Sequence, residues 1–473
     1  MNWESLPEEY RASTVDLWQH HGLFPHTGMD AILGKGKKDI SMLMTYVAME
    51  DYLKDRGRLG FVITQSVFKT SGAGQGFRRF RLGSGTPLRV VAVDDMSKLK
   101  PFAGASNRTA IVVLARGLEM KYPFRSYSVW HKPGGGAVIP EDVSLEEVVG
   151  QRVAVYSHFD AIPVDQADST SPWMTGRRQA LRGIKSVIGG SEYEAHEGVN
   201  TGGANAVYWM RIVGVRPDGL VVVKNLTKGA KRRVDETQAA IEPDLIYPLL
   251  RGRDVHRWSA LPSAHILMVQ DPDARSGYPE DWLRAEYPRS YQYLKEFEPA
   301  LRRRASQMVR RLMDTGAFYS MFGVGNYTFA PHKVVWREQA SDMTVAVAGS
   351  IEGRVAVPDH KLMLVDFERR DEAHYVCAVL NSSPARFIVL SYGITTAMAT
   401  HILENVSVAS YDPANRVQSR LALLSQEAHE ATAAGDMPRV KEIEEEIDKL
   451  AAELWGLTRQ ELEDIKRSLE ELL

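Results

Sequence analysis

The stretch Arg58-Leu-Gly-Phe-Val-Ile-Thr-Gln-Ser-Val-Phe68 constrains the fold more than any other part of the chain. Its apolar, β-branched run reads as a buried strand over 59–64, emerging after a helix and a turn. The preceding helix covers 39–53, where apolar residues recur at helical spacing, Asp39 stands as N-cap and Arg56-Gly-Arg58 ends the element. Leu88-Arg-Val-Val-Ala-Val93 and the segment 109–114 are two further strands, separated from the first by a glycine-rich turn at 72–76 and a short helix at 77–82. Strand and helix in alternation imply a sheet with helices on its faces, so this region is expected to be α/β.

The pattern breaks near Pro133-Gly-Gly-Gly136, a linker-like stretch. From residue 150 to 415 the elements are short and mostly strand-like. Val207-Tyr-Trp-Met-Arg-Ile-Val213 and Gly219-Leu-Val-Val-Val-Lys224 predict a hairpin around Pro217-Asp-Gly219. The segment 301–311 is a basic helix, and 333–336, 345–347 and 362–365 are strands. From 416 the chain is helical, with a turn at 434–436 and a final helix opened by a Thr458/Glu461 capping box.

With 473 residues, 44% hydrophobic and 25% charged, the chain has material for two or three soluble globular domains. A net charge of −2 does not announce a nucleic-acid binder, although a local basic surface would suffice for one. The single cysteine, Cys377, excludes an internal disulfide and a Cys-rich metal site; in the apolar run Tyr375-Val-Cys-Ala-Val-Leu380 it reads as a buried, inert thiol. The 13 histidines show no His-x-x-x-His or His/Cys spacing, so no metal site is expected. No apolar run approaches the roughly 20 residues that span a bilayer, and the N-terminus lacks a signal-peptide core, so a cytoplasmic protein without a membrane partner is expected.

Gly72, Gly74 and Gly76 follow a strand and precede a helix, with Asp94 and Asp95 about 20 residues later, as a dinucleotide fingerprint requires. Phe77 stands where the third glycine should be, so a nucleotide site and a ligand-free surface loop both remain open readings.

The order of these pieces, with Pro101-Phe-Ala-Gly-Ala-Ser-Asn-Arg-Thr-Ala-Ile-Val-Val-Leu114, resembles the rear of the catalytic domain of N6-adenine DNA methyltransferases of the type IIG restriction–modification kind. Leu249-Leu-Arg-Gly-Arg-Asp-Val-His-Arg-Trp258 and Asn200-Thr-Gly-Gly-Ala-Asn205 are similar to segments of that family's target-recognition domain, and Trp455-Gly-Leu-Thr-Arg-Gln-Glu461 to its C-terminal end. The resemblance implies a partial Rossmann-like methyltransferase sheet (1–135), a mixed α+β target-recognition domain (150–415) and a C-terminal helical region (416–473). It also implies methyl transfer from S-adenosylmethionine to the N6 of an adenine extruded from double-stranded DNA. Phe102 would be the aromatic at the edge of the loop closing over the extruded base; a core plug beneath that loop is the competing reading.

The family's Asn-Pro-Pro-Tyr/Trp loop occurs nowhere in the chain, and no glycine-rich S-adenosylmethionine motif precedes the first helix. The chain is therefore expected to hold no catalytic residue, to be inactive alone, and to be a split or truncated methyltransferase for which a separate N-terminal polypeptide supplies the missing half. In the family's sheet the strand bearing the catalytic loop lies beside the strand at 59–64, so without it that strand should be an unpaired apolar edge. A non-catalytic DNA-recognition (specificity) subunit is the alternative.

Candidate DNA contacts come from three segments. Arg251, Arg253, His256 and Arg257 place several donors together, suited to phosphates or guanine edges, or to a solvated loop in which Asp254 pairs internally. Arg303 and Arg310 lie on one face of the expected basic helix, which either meets phosphates or is merely exposed. Asn200, Thr201 and Asn205 offer loop amides and a hydroxyl that turn chemistry also explains.

Overall fold

The computed structural model describes residues 2–24, 38–70, 72–102, 108–133, 139, 142–230, 232, 234–392 and 398–473. The expected linker residues 134–136 and the loop residues 103–107 lie outside these. The chain forms two compact units, one comprising Met1–Ile188, Phe387–Ile394 and Leu457–Leu473, the other Gly189–Arg386 and Thr395–Gly456. The protein is mixed α/β with several sheets and C-terminal helices. No helix among the described residues is long and apolar enough to cross a membrane.

The first unit is built on strands β1 (Arg58–Thr64), β2 (Leu88–Asp95), β3 (Thr109–Arg116), β4 (Phe124–His131), β5 (Val155–Pro163) and β6 (Trp173–Gly176), in the order β1-β3-β2-β4-β5-β6. Only the β2–β4 pair is parallel. The sheet thus runs through the stretch beyond 135, where short, strand-like elements were expected to follow a linker. Helices α1 (Glu8–His20) and α2 (Ile40–Asp51) contribute Trp18, Leu43 and Tyr46 to a core shared with Phe68, Phe77 and Trp173. Asp39 caps α2 as expected, its carboxylate accepting from the Ser41 amide at 2.9 Å. A short helix, α3 (Arg178–Gly183), follows β6.

The second unit contains two larger sheets. Strands β7 (His196–Glu197), β8 (Trp209–Val215), β9 (Val221–Asn225), β10 (Gln238–Ile241), β11 (Ile246–Leu250), β12 (Ala264–Leu267), β13 (His332–Arg337), β14 (Val345–Ala348), β15 (Val357–Pro358) and β16 (Leu362–Phe367) are ordered β10-β9-β8-β12-β11-β15 and β14-β13-β16-β7. The hairpin expected around Pro217-Asp-Gly219 is β8–β9, with Gly219 at φ +85°, which a β-carbon would strain. The expected basic helix is broken: α4 (Glu298–Arg302) ends before α5 (Gln307–Thr315) begins, so Arg303 and Arg310 do not share one helical face. The helix expected at 77–82 shrinks to a 3-10 turn, Phe77–Arg79, ended by Phe80 at φ +45°. Helices α6 (Arg370–Asn381), α7 (Ser383–Tyr392), α8 (Arg416–Ala434), α9 (Met437–Leu454) and α10 (Arg459–Leu472) follow in the chain, α10 and the part of α7 from Phe387 on belonging to the first unit, and α10 opens on the Thr458/Glu461 capping box.

β1 has one neighbour among the described residues, β3, and forms the outer edge of its sheet. Of its seven residues only Ile63 is buried, and Val62 is 53% exposed. A β-carbon at Gly60 would meet nothing within 4 Å, whereas one at Gly74 would lie 2.3 Å from the Val67 carbonyl oxygen. Gly74→Ala should therefore destabilise by about 1–3 kcal/mol through overpacking, while Gly60→Ala should be neutral or stabilise by up to about 1 kcal/mol. Urea unfolding of the two variants checks this; equal effects would contradict the described packing.

Candidate nucleic-acid interface

Two of the three candidate segments meet around a residue whose role the sequence did not reveal. Arg304 falls in the break between α4 and α5 and is fully buried. Its guanidinium donates to the carbonyls of Leu301 (2.9 Å), Thr201 (3.1 Å), Ser320 (2.7 Å) and Phe318 (2.7 Å). A buried charge is tolerated when carbonyl dipoles replace its water, as here. Arg304 thereby fixes the loop 200–205 against the broken helix. Gly202 and Gly203, at φ +66° and +85°, let the loop turn there, and a β-carbon on Gly202 would lie 2.8 Å from Val309.

The same packing decides which side chains stay free. Thr201 is buried and its hydroxyl donates to the Asn205 carboxamide. Asn200 accepts from the Gly202 amide at 3.0 Å and donates to Glu197 at 3.3 Å. Arg303 and Arg310 remain exposed on either side of the buried guanidinium, anchored only by Nε, to the carbonyls of Pro299 and Arg304 (both 3.0 Å).

The third segment is divided. Arg251 is buried, ion-paired with Asp254 at 3.3 Å and bonded to Ser263. Arg257 is ion-paired with Glu444 at 2.7 Å and donates to the Asn381 carbonyl at 2.6 Å. Arg253 is exposed, with 68% of its side chain accessible, and exposed His256 meets Arg337 at 2.9 Å. Behind them Asp359 accepts from the Lys361 amide at 2.8 Å; burial raises its pKa to about 7, neighbouring Asp254 adding to the rise and Arg251 opposing it.

In the first unit Phe102 is 51% exposed, next to the undescribed residues 103–107, which removes the core-plug reading. The glycine turn is filled by protein: fully buried Arg78 donates to the carbonyls of Val67, Thr70 and Thr170 at 2.6, 2.7 and 2.8 Å. Asp94 accepts from Trp130 at 2.9 Å, and Asp95 from Tyr127 and Gln65 at 2.6 and 3.1 Å. Among the described residues there is no pyrophosphate cradle or free ribose-binding acid at this turn, so the nucleotide reading is withdrawn. Buried Lys69 donates to the Trp173 and Ser391 carbonyls and to Thr175 at 2.7 Å, and burial draws its pKa down to about 7.

One metal-capable grouping occurs among the described residues: Glu50 Oε2 lies 3.1 Å from His20 Nε2 and 3.2 Å from His21 Nδ1. The Gly83 amide donates to His21 Nδ1 at 3.2 Å and the Ser84 amide to Glu50 Oε1 at 2.9 Å, so His21 Nδ1 and the second oxygen of Glu50 already serve the loop. Adjacent histidines gave no sign of it in sequence, because their partner arrives from α2.

The raised pKa of Asp359 carries a pH prediction. The neutral acid is preferred in the fold, so its favourable contribution is full below the ordinary value of 3.8 and is lost as pH rises through about 7. Asp359→Asn keeps an oxygen for the Lys361 amide and removes the titration. Its Tm relative to the unaltered protein should therefore be higher at pH 8 than at pH 4. A pH-independent difference would contradict this.

No family model matches the chain. It is 28% identical over 146 residues to the Type II methyltransferase M.NspV of Nostoc sp., a match covering 31% of this chain and 29% of that protein. A solved structure of the Type IIL restriction-modification enzyme MmeI in complex with DNA shares the fold over 100% of this chain and 56% of its own, at 10% identity and a TM-score of 0.52. The type IIG restriction endonuclease BpuSI aligns over 95% and 52% at 11% identity, with a TM-score of 0.30. The chain thus spans less than a third of its sequence relative and about half of the MmeI chain. Over the 146 matched residues the chain is similar to a Type II methyltransferase, and its fold is similar to that of the MmeI chain.

Proposed function

We propose that this chain is the rear of the catalytic domain and the target-recognition part of an N6-adenine DNA methyltransferase, cytoplasmic and acting in restriction–modification or phage defence. The observation that carries this reading is the open edge of β1. An apolar strand with unpaired amides and carbonyls along one side is a template for another strand. In the family the chain resembles, the neighbour at this position bears the Asn-Pro-Pro-aromatic loop, a motif absent from the sequence. A complementing segment would bring that loop and the S-adenosylmethionine pocket; Phe102 would then stack on the extruded adenine. The residues here that would do the chain's own part are the exposed donors Arg253, His256, Arg303 and Arg310, which position duplex DNA through its phosphates.

A recognition subunit without methyl transfer is the second reading, supported by the second unit's having its own core and its own exposed cations. Both readings expect Arg303→Ala/Arg310→Ala to weaken duplex binding and to lower the slope of log affinity against log salt by about 2, with stability changed by less than about 0.5 kcal/mol. Unchanged affinity and slope would remove this surface from the interface.

Methyl incorporation into duplex DNA from labelled S-adenosylmethionine separates the readings. The chain alone should transfer none, and addition of a polypeptide carrying an Asn-Pro-Pro-aromatic loop should restore transfer. Val62→Lys, a charge placed on the open edge, should prevent that restoration and reduce self-association of the chain. Methyl transfer by the chain alone would overturn the proposal; no transfer with the complement would favour the recognition subunit.

A further inference from the structure

A cleft of about 430 Å³ opens in the first unit between β4, β5 and α3, lined by none of the candidate site residues described above. Four cations line it, Arg125, Arg178, Arg182 and Lys185, against one carboxylate, Asp160. Asp160 is buried and spends Oδ2 on Arg178 Nε at 3.0 Å. Arg125, Arg182 and Lys185 are exposed and have no ion pair or hydrogen bond to protein among the described residues.

The local sequence concentrates this charge. Arg178 and Arg182 are one helical turn apart on α3, and Lys185 follows in the next turn, so three like charges stack along one face. Such stacking is unfavourable unless an anion neutralises it. The lining also includes apolar side chains, Ile162 from β5 and Leu181 from α3. The volume is within the range of small-ligand sites, roughly 300–1,000 Å³. Guanidinium forks match phosphoryl oxygens in pairs, and apolar side chains suit the flat body of a base or the face of a sugar.

We propose that this cleft binds a phosphorylated nucleotide, its phosphoryl group held by Arg125, Arg182 and Lys185 and its nucleoside against Ile162 and Leu181. Asp160 holds Arg178 in place as a positioning residue. Two sources carry this chemistry, a free nucleotide or a nucleotide within a DNA strand.

Isothermal titration of the full chain with ATP and with inorganic pyrophosphate tests the first source. Binding should be submillimolar and should fall at least tenfold in Arg182→Ala/Lys185→Ala, whose exposed side chains can be removed without unfolding, as a thermal melt would verify. Should neither probe bind, the second source requires that the same variant lower the salt slope of duplex binding by about 2. The proposal is overturned if ATP and pyrophosphate do not bind and duplex binding by this variant is unchanged. Failure of the DNA-positioning reading is separate, because it is read from Arg303→Ala/Arg310→Ala, which leaves this cleft intact.

Discussion

An apolar strand can end a sheet only if something offsets the water-exposed backbone groups along its outer side. β1 is such a strand: Leu-Gly-Phe-Val-Ile is what a sheet interior uses, yet only Ile63 is buried. The contrast with β2 and β3 is direct, since Leu88, Val90 and Val93 and Ala110, Val112 and Leu114 are all buried in the same sheet. The composition of β1 matches a position with neighbours on both sides, and among the described residues it has one. The functional reading follows from that mismatch.

Buried cations tie together separate segments within each unit. Arg78 closes the glycine turn, Lys69 joins backbone carbonyls of two separate segments of its unit, and Arg304 joins the 200–205 loop to the broken helix. In each case the desolvation cost is offset by carbonyl oxygens, and a positive charge that could have met an anion is spent on architecture. This is why a count of arginines in a segment is a poor guide to a phosphate surface. Of the cluster at 302–304, Arg304 points inward while Arg302 pairs with Glu298 at 2.7 Å.

What was legible in the sequence was local. The Asp39 cap, the Thr458/Glu461 box, the β8–β9 hairpin and the strands at 59–64, 88–93 and 109–114 depend on residues near in sequence, and all formed. That the strand at 59–64 lies at a sheet edge among the described residues agrees with what the family resemblance implies. The break after Arg302 was not legible, because the carbonyls that bury Arg304 come in part from Thr201 and Ser320. Nor did periodicity show that Arg251 and Arg257 would be spent on Asp254 and Glu444, or that Glu50 would meet His20 and His21. These are tertiary decisions, made between residues far apart in the chain.

The central claim is that β1 awaits a strand from outside the described residues. Hydrogen exchange of the β1 amides that face away from β3, at a concentration where the chain is monomeric, tests it most directly. The account predicts rapid exchange for the chain alone and strong protection once a polypeptide carrying the Asn-Pro-Pro-aromatic loop is added. Outward β1 amides already protected in the lone monomer would show the edge to be covered, and would contradict it.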